Sequence, residues 1–126
     1  MADSYHDLPL VYACSGCSSA AQMANDLAVR LDREGLAEMS CIAGVGGDVD
    51  PLVDTATSGR PTLVVDGCPL ECARQSLERH DVTPDRHVTL AERGVPKEYH
   101  ADYDDDRAAA VFDDLVGELE DLEATG

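Results

Sequence analysis

Short apolar runs alternate along this chain with helix-like segments, and this alternation constrains the fold more than any other feature. The apolar runs typical of buried strands lie at 10–13, 37–43, 61–65 and 87–90. Segments with helical spacing lie at 20–34, 51–57, 69–80 and 104–122, the last of them amphipathic. Strand–helix alternation builds parallel sheets through right-handed crossovers. We therefore predict an α/β fold, an open, mostly parallel four-stranded sheet with helices on both faces, Rossmann- or flavodoxin-like, and a C-terminal amphipathic helix.

A chain of 126 residues has the size of one domain. We predict a single domain over residues 10–122, with flexible ends at 1–9 and 123–126. The composition of one Phe, four Tyr and no Trp predicts an aliphatic core.

The chain is strongly acidic, with 26 acidic residues, nine basic residues and a net charge of −17. Such a surface repels phosphates and anionic lipids, so we expect neither nucleic acid nor membrane as a partner. Lys97 is the single lysine. An Asp-rich, Lys-poor surface suits very high salt, where screening cancels self-repulsion, and this predicts a halophilic archaeal source.

Residues 1–9 are polar and acidic, without a basic leader, and no apolar run approaches the roughly 18 residues of a membrane span. We expect a cytoplasmic protein. In that compartment the five cysteines are more often metal ligands or redox groups than structural disulfides.

Four of the cysteines form two close pairs, each directly after a predicted strand. Cys14 and Cys17 follow the first strand, Cys68 and Cys72 follow the third, and Cys41 lies in the second. In open parallel sheets, ligands bind beyond the carboxyl ends of the strands, at the point where strand order reverses. The sequence thus predicts that the two pairs meet at one edge of the sheet.

Two thiol pairs indicate a metal site, and tetrahedral zinc is favoured over an iron–sulfur cluster. Gly16 is expected to allow a tight turn within the first pair. If a helix begins at Pro69, Cys68 and Cys72 share one helix face. The amino ends of the two following helices favour thiolate over thiol. Residues expected around the pocket are Gly16, Gly46, Gly47, Asp66, Gly67, Glu71 and Lys97.

Two thiol chemistries compete with metal binding. Cys14 and Cys17 at a helix start also suit a dithiol redox centre, although one pair would suffice for that chemistry. The spacing of Cys68 and Arg74 matches cysteine phosphatases and arsenate reductases, but Glu71 lies where an anion needs positive potential. Whether the protein is an enzyme stays open, with a thiol–disulfide oxidoreductase ahead of a phosphatase.

The order of these motifs resembles the DGC-domain family of zinc-binding proteins, named after a tripeptide that stands here at Asp66–Cys68. The other matching segments are Cys14–Cys17, Cys41–Gly47, Cys72 with Ala73, and Gly94–Lys97, over about residues 10–120. The resemblance implies that Cys14, Cys17, Cys68 and Cys72 are the metal ligands. Cys41 is left as an additional ligand, a redox thiol or a buried inert residue.

We therefore predict a zinc-binding protein with a four-cysteine site and a structural, regulatory or metal-handling role without catalysis. The partners expected are a metal ion and an unidentified protein client. The alternative is a thiol redox protein or an iron–sulfur electron carrier that uses the same cysteines. Lys97 is a candidate to reach the cysteine pocket, and the four histidines are expected to be structural.

Overall fold

The structure is a computed structural model that describes residues 5–125, with side chains described for 5–123. The strands are β1 (Leu10–Ala13), β2 (Glu38–Met39), β3 (Thr62–Asp66) and β4 (Arg86–Thr89). The helices are α1 (Ser19–Arg33), α2 (Ile42–Gly46), α3 (Asp50–Ala56), α4 (Cys72–Glu78) and α5 (Asp105–Thr125). Short 3₁₀ turns lie at Tyr5–Asp7 and Leu90–Arg93.

All four strands are parallel and lie in the order β2-β1-β3-β4. This is the flavodoxin-like order. The chain adds β2 on one side of β1 and then β3 and β4 on the other side, so the switch point lies between β1 and β3. Register pairs Ala13 with Val65, so β1 and β3 end side by side. The predicted fold class is confirmed, and the loops after these two strands leave the sheet at its switch point.

Alternate residues of the central strands face two separate cores, as the twofold repeat of a strand requires. Val11 and Val65 pack in a core with α1 and α5, and Tyr12 and Val64 pack in a second core with α2, α3 and α4. Every residue of β1 and β3 is buried. Helices on both faces explain why residues 10–13 and 63–65 form continuous apolar runs.

Helix α1 positions the first cysteine loop. The Ser18 side chain accepts a hydrogen bond from the N–H of Ala21 at 3.1 Å and caps the helix. Met23, Leu27 and Leu31 are spaced four apart and are buried against the sheet. The loop from Cys14 to Ser18 is thus held between a buried strand and a capped helix.

The second strand is much shorter than predicted, and Cys41 lies outside it. The chain leaves the sheet after Met39, and Cys41 is the residue before α2, which spans the end of the predicted strand and the glycine-rich segment after it. The compact turn fits because Gly44 packs against Leu52, whose side chain a Cβ at this position would strike. Close approach of α2 to α3 therefore favours a helix over a longer strand.

The helix predicted from Pro69 begins at Cys72 instead. Glu71 has a left-handed backbone, with φ 54° and ψ 48°, and this conformation interrupts any helix that starts earlier. Leu70 is consequently 61% exposed. The prediction that Cys68 and Cys72 share one helix face is wrong.

The flexibility predicted for residues 1–9 and 123–126 stays a prediction, and residues 1–4 and 126 lie outside the described residues. The Arg60 guanidinium donates to the carbonyls of Tyr5 and Leu8 at 3.0 and 2.7 Å. Helix α5 continues three residues beyond the predicted end at residue 122, to Thr125.

Candidate functional site

The cysteines lie at the carboxyl edge of the sheet. Cys14 directly follows β1, Cys68 follows β3 by two residues, and Cys72 opens α4. Cys14 and Cys68 are half-buried, whereas Cys17, Cys41 and Cys72 are exposed.

The structure brings Cys14 together with the second pair. The N–H of Gly67 donates a hydrogen bond to the Cys14 Sγ at 3.1 Å. Cys14 and Cys72 also line one cavity of about 230 Å³, together with Ile42 and Gly46 of α2. The second cysteine pair therefore adjoins the first at Cys14, and the helix that follows Cys41 forms another wall of the same cavity.

Burial raises the pKa of the Cys14 thiol from 9.0 to about 11. The Gly67 N–H opposes this shift, and nearby Asp66, Cys68 and Cys72 add to it. The expectation that helix ends favour thiolate is wrong at Cys14, because loss of water outweighs the single N–H that faces the sulfur. Metal-free Cys14 is a neutral thiol at neutral pH.

Asp66 is completely buried and does not face the cavity as a ligand. Its carboxylate accepts hydrogen bonds from the N–H groups of Ala73 and Arg74 at 2.8 and 3.2 Å, at the start of α4. The Nε2 of His87 lies 2.9 Å from the same carboxylate. Asp66 thus joins the end of β3 to the start of α4 and to β4.

Gly67 is required by close packing. A Cβ at Gly67 would lie 2.7 Å from the Ala20 backbone carbon, at the start of α1. By contrast, a Cβ at Gly16 would approach only the Ala21 Cβ, at an ordinary 3.9 Å, so the tight turn predicted to need glycine there does not require it.

Two of the glycines predicted near the pocket belong to the end of α2. Gly46 lines the cavity, and its carbonyl accepts a hydrogen bond from Arg79 at 2.9 Å. Gly47 caps the helix, and a Cβ there would lie 3.2 Å from the Ala43 carbonyl oxygen.

Glu71 is tied to three neighbours by its carboxylate. Arg74 and Thr89 donate hydrogen bonds to it at 2.8 and 3.1 Å, and His87 Nδ1 lies 3.5 Å away. The Arg74 hydrogen bond is the main reason why the pKa of Glu71 is lowered. Arg74 also pairs with Glu78 at 2.7 Å, so its guanidinium is held by two carboxylates rather than set around an anion at Cys68.

Lys97 reaches the cysteine site. Its ammonium lies 3.5 Å from the Cys68 Sγ, and hydrogen bonds to Tyr99 and then to Cys68 raise the pKa of Lys97. The 96–99 segment that carries it is bound to α1, because Ser19 N–H donates to the Glu98 carbonyl at 2.8 Å and Glu98 N–H donates to Ser19 Oγ at 3.0 Å.

Sequence reasoning missed His87 and Thr89 as neighbours of the site. Both are on β4, and register pairs Asp66 with Thr89. A parallel pairing of the last two predicted strands would have placed them there, but the register depends on contacts that a single sequence does not display.

Among the side chains that the structure describes, no three His, Cys, Asp or Glu groups are already arranged to hold a metal ion. The donor type nevertheless suits a soft ion, because all four predicted ligands are thiols, and Cys14, Cys68 and Cys72 are gathered at one edge of the sheet. Cys17 is the fourth, three residues after Cys14 in the exposed loop. In the described part of the chain, no helix is long and apolar enough to cross a membrane.

Comparison with known proteins agrees with the motif analysis. The DGC domain model matches residues 10–115. A protein named anaerobic and virulence modulator AnvM, from Pseudomonas aeruginosa, is 61% identical over 108 residues, which cover 86% of this chain and 82% of that protein. No solved structure matches, and the relative's source lends no support to a halophilic origin. The chain belongs to the DGC domain family.

Proposed function

We propose that this protein binds a zinc ion through Cys14, Cys17, Cys68 and Cys72 and serves a regulatory or metal-handling role in the cytoplasm without catalysis of its own. The observation that carries the proposal is the meeting of Cys14 with the Gly67–Cys72 loop across more than fifty residues. The relative's name describes a modulator, which is in keeping with a regulatory role.

Zinc binding would require the exposed thiols to turn toward the ion. Cys14 and Cys68 are partly buried, and their sulfurs contact the Gly67 N–H and the Lys97 ammonium, whereas Cys17 and Cys72 are exposed. Four thiolates saturate tetrahedral zinc and leave no position for a reactive water, which favours a non-catalytic site.

Thiol redox chemistry is the second candidate, because Cys68 lies beside a lysine ammonium and three other thiols are exposed. Against it, the pKa of about 11 leaves Cys14 protonated at neutral pH and poorly suited to attack a disulfide. An iron–sulfur cluster would use the same thiols, and its visible absorption would identify it.

The test is zinc titration of protein stripped with a chelator, with elemental analysis and thiol counting. We expect about one zinc per chain and protection of the four ligand thiols from alkylation. Cys68→Ser should abolish tight binding, and Cys41→Ser should weaken it less. If zinc protects no thiol, or if purified protein is brown and contains iron, the zinc proposal is wrong.

A further inference from the structure

Glu71 has an uncommon backbone conformation at a position between two candidate ligands. Its φ of 54° lies in the left-handed region, which glycine and asparagine favour and which glutamate rarely adopts. A residue held in such a conformation needs surrounding contacts that fix it, and such residues concentrate at functional sites.

Glu71 is fixed by contacts within its own turn and by one contact from the neighbouring strand β4. Thr89 on β4 is 95% buried and donates to one carboxylate oxygen at 3.1 Å, and Arg74 donates to the other at 2.8 Å. The N–H of Glu71 donates to the Cys68 carbonyl at 3.0 Å and closes the turn that begins at the ligand. Backbone and side chain of this residue therefore connect Cys68, Cys72 and β4.

The left-handed backbone at Glu71 changes the placement of Cys72 relative to Cys68. A helix running from Pro69 would stack Cys72 one turn from Cys68 on a single face. With the break at Glu71, α4 starts at Cys72, the Ala73 N–H reaches Asp66, and Cys72 lines the cavity with Cys14.

We propose that Glu71 is a positioning residue, whose left-handed backbone and Thr89-anchored carboxylate set the placement of Cys68 and Cys72 toward Cys14. The inference rests on the proposed zinc site, but its effect on thiol placement is also present in metal-free protein. Glu71 itself is not a ligand in this arrangement, because its carboxylate oxygens face Thr89, Arg74 and His87.

The variant Glu71→Gly distinguishes an effect on the placement of the thiols from an effect on folding. Glycine adopts the left-handed conformation without strain, which offsets the loss of the carboxylate hydrogen bonds to Thr89 and Arg74, so the melting temperature in chelator should change little. Loss of the anchored carboxylate should weaken zinc binding by about ten- to hundredfold, the usual effect of removing a residue that orients ligands. Glu78→Gln is the matched control, since Glu78 pairs with the same Arg74 from within α4 and should leave zinc affinity unchanged.

Two variants of Thr89 test its hydrogen bond to the Glu71 carboxylate from the donor side. Thr89→Val removes the hydroxyl that donates to Glu71 and should weaken zinc binding, as Glu71→Gly does. Thr89→Ser keeps the hydroxyl and should bind zinc with nearly the affinity of the wild type. Zinc dissociation constants are measured by competition with a chromophoric chelator.

Alkylation rates in metal-free protein give the readout that does not depend on zinc. Glu71→Gly should change the rates of Cys68 and Cys72 relative to the exposed Cys17, and Glu78→Gln should not. If the wild type fails to bind zinc, the proposed function is wrong, and these rates still decide the role of Glu71. Unchanged zinc affinity and unchanged relative rates in Glu71→Gly would overturn the positioning role.

Discussion

The N–H of Gly67 donates a hydrogen bond to the Sγ of Cys14 across 3.1 Å, joining positions that are 53 residues apart in the chain. The same glycine lies so close to the Ala20 backbone that a Cβ has no room. The central glycine of the DGC tripeptide therefore has two roles, to approach α1 and to hold the first thiol.

Gly67→Ala should destabilise the protein. Because the obstructing atoms belong to backbone, they cannot move aside cheaply, and we expect a loss of about 1–3 kcal/mol in the free energy of unfolding. Urea denaturation in the presence of chelator measures it. Gly117→Ala is the control, since a Cβ at this position of α5 meets nothing within 4 Å and should stabilise by roughly 0.5–1 kcal/mol. Equal urea midpoints for wild type and Gly67→Ala would contradict the packing argument.

Cys14 should be the slowest thiol to react with iodoacetamide in metal-free protein at neutral pH. Its raised pKa of about 11, against an ordinary 9.0, lowers the thiolate fraction about a hundredfold. The rate should rise with pH until that value is reached. Quantitative mass spectrometry of each cysteine peptide measures the rates.

The same shift has a stability consequence. As pH rises above 9, the unfolded chain releases the Cys14 proton first while the folded state retains it, so the free energy of unfolding should fall between pH 9 and 11. Cys14→Ala should lose part of this pH dependence.

The control for the alkylation experiment is urea-unfolded protein, in which the alkylation rate of Cys14 should match that of Cys17. A native Cys14 that is alkylated as fast as Cys17 would contradict the burial argument.

Lys97→Met should slow alkylation of Cys68 at neutral pH, because the Lys97 ammonium donates a hydrogen bond to the Cys68 Sγ at 3.5 Å and its positive charge attracts the electron-rich sulfur that attacks iodoacetamide. Lys97→Arg keeps the charge and should retain most of the rate. The exposed Cys17 serves as an internal reference in the same sample. A Cys68 rate that is equal in wild type and Lys97→Met would show that the 3.5 Å contact has no electrostatic effect.

Salt should stabilise the folded chain. A net charge of −17 on 126 residues repels itself, and raising KCl from about 0.1 to about 1 M shortens the screening length from roughly 10 to 3 Å. We expect the melting temperature to increase by several degrees over this range. KCl is preferred to a sulfate salt, which strengthens apolar burial in any protein. A flat or falling melting temperature would show that repulsion between surface charges does not limit the stability of the folded chain.

The parts of the fold that were predicted correctly are those set by local pattern. Continuous apolar runs predicted β1 and β3. The spacing of four residues between Met23, Leu27 and Leu31 predicted α1. From these elements alone, the rules of parallel sheets place Cys14 near Cys68. The meeting of the two loops was therefore readable from sequence.

The parts that were predicted incorrectly depend on contacts between distant residues. Helix α4 begins at Cys72 because the Asp66 carboxylate takes its first N–H groups and because Thr89 holds Glu71. Likewise, α2 forms where Gly44 lets Leu52 approach. Helix propensity near Pro69 and strand propensity near Cys41 were overridden by these tertiary contacts.

Because the strands differ in length, the segments that carry the cysteines are supported by the sheet to different extents. β1 and β3 are hydrogen-bonded to neighbours along both edges, so Cys14 and the Gly67 turn extend from the least deformable part of the sheet. β2 is an edge strand of two residues, and the segment that carries Cys41 into α2 depends on it. An ion or partner that enters the cavity would therefore meet Cys14 at the end of a strand paired on both sides, whereas Cys41 follows a strand of only two residues.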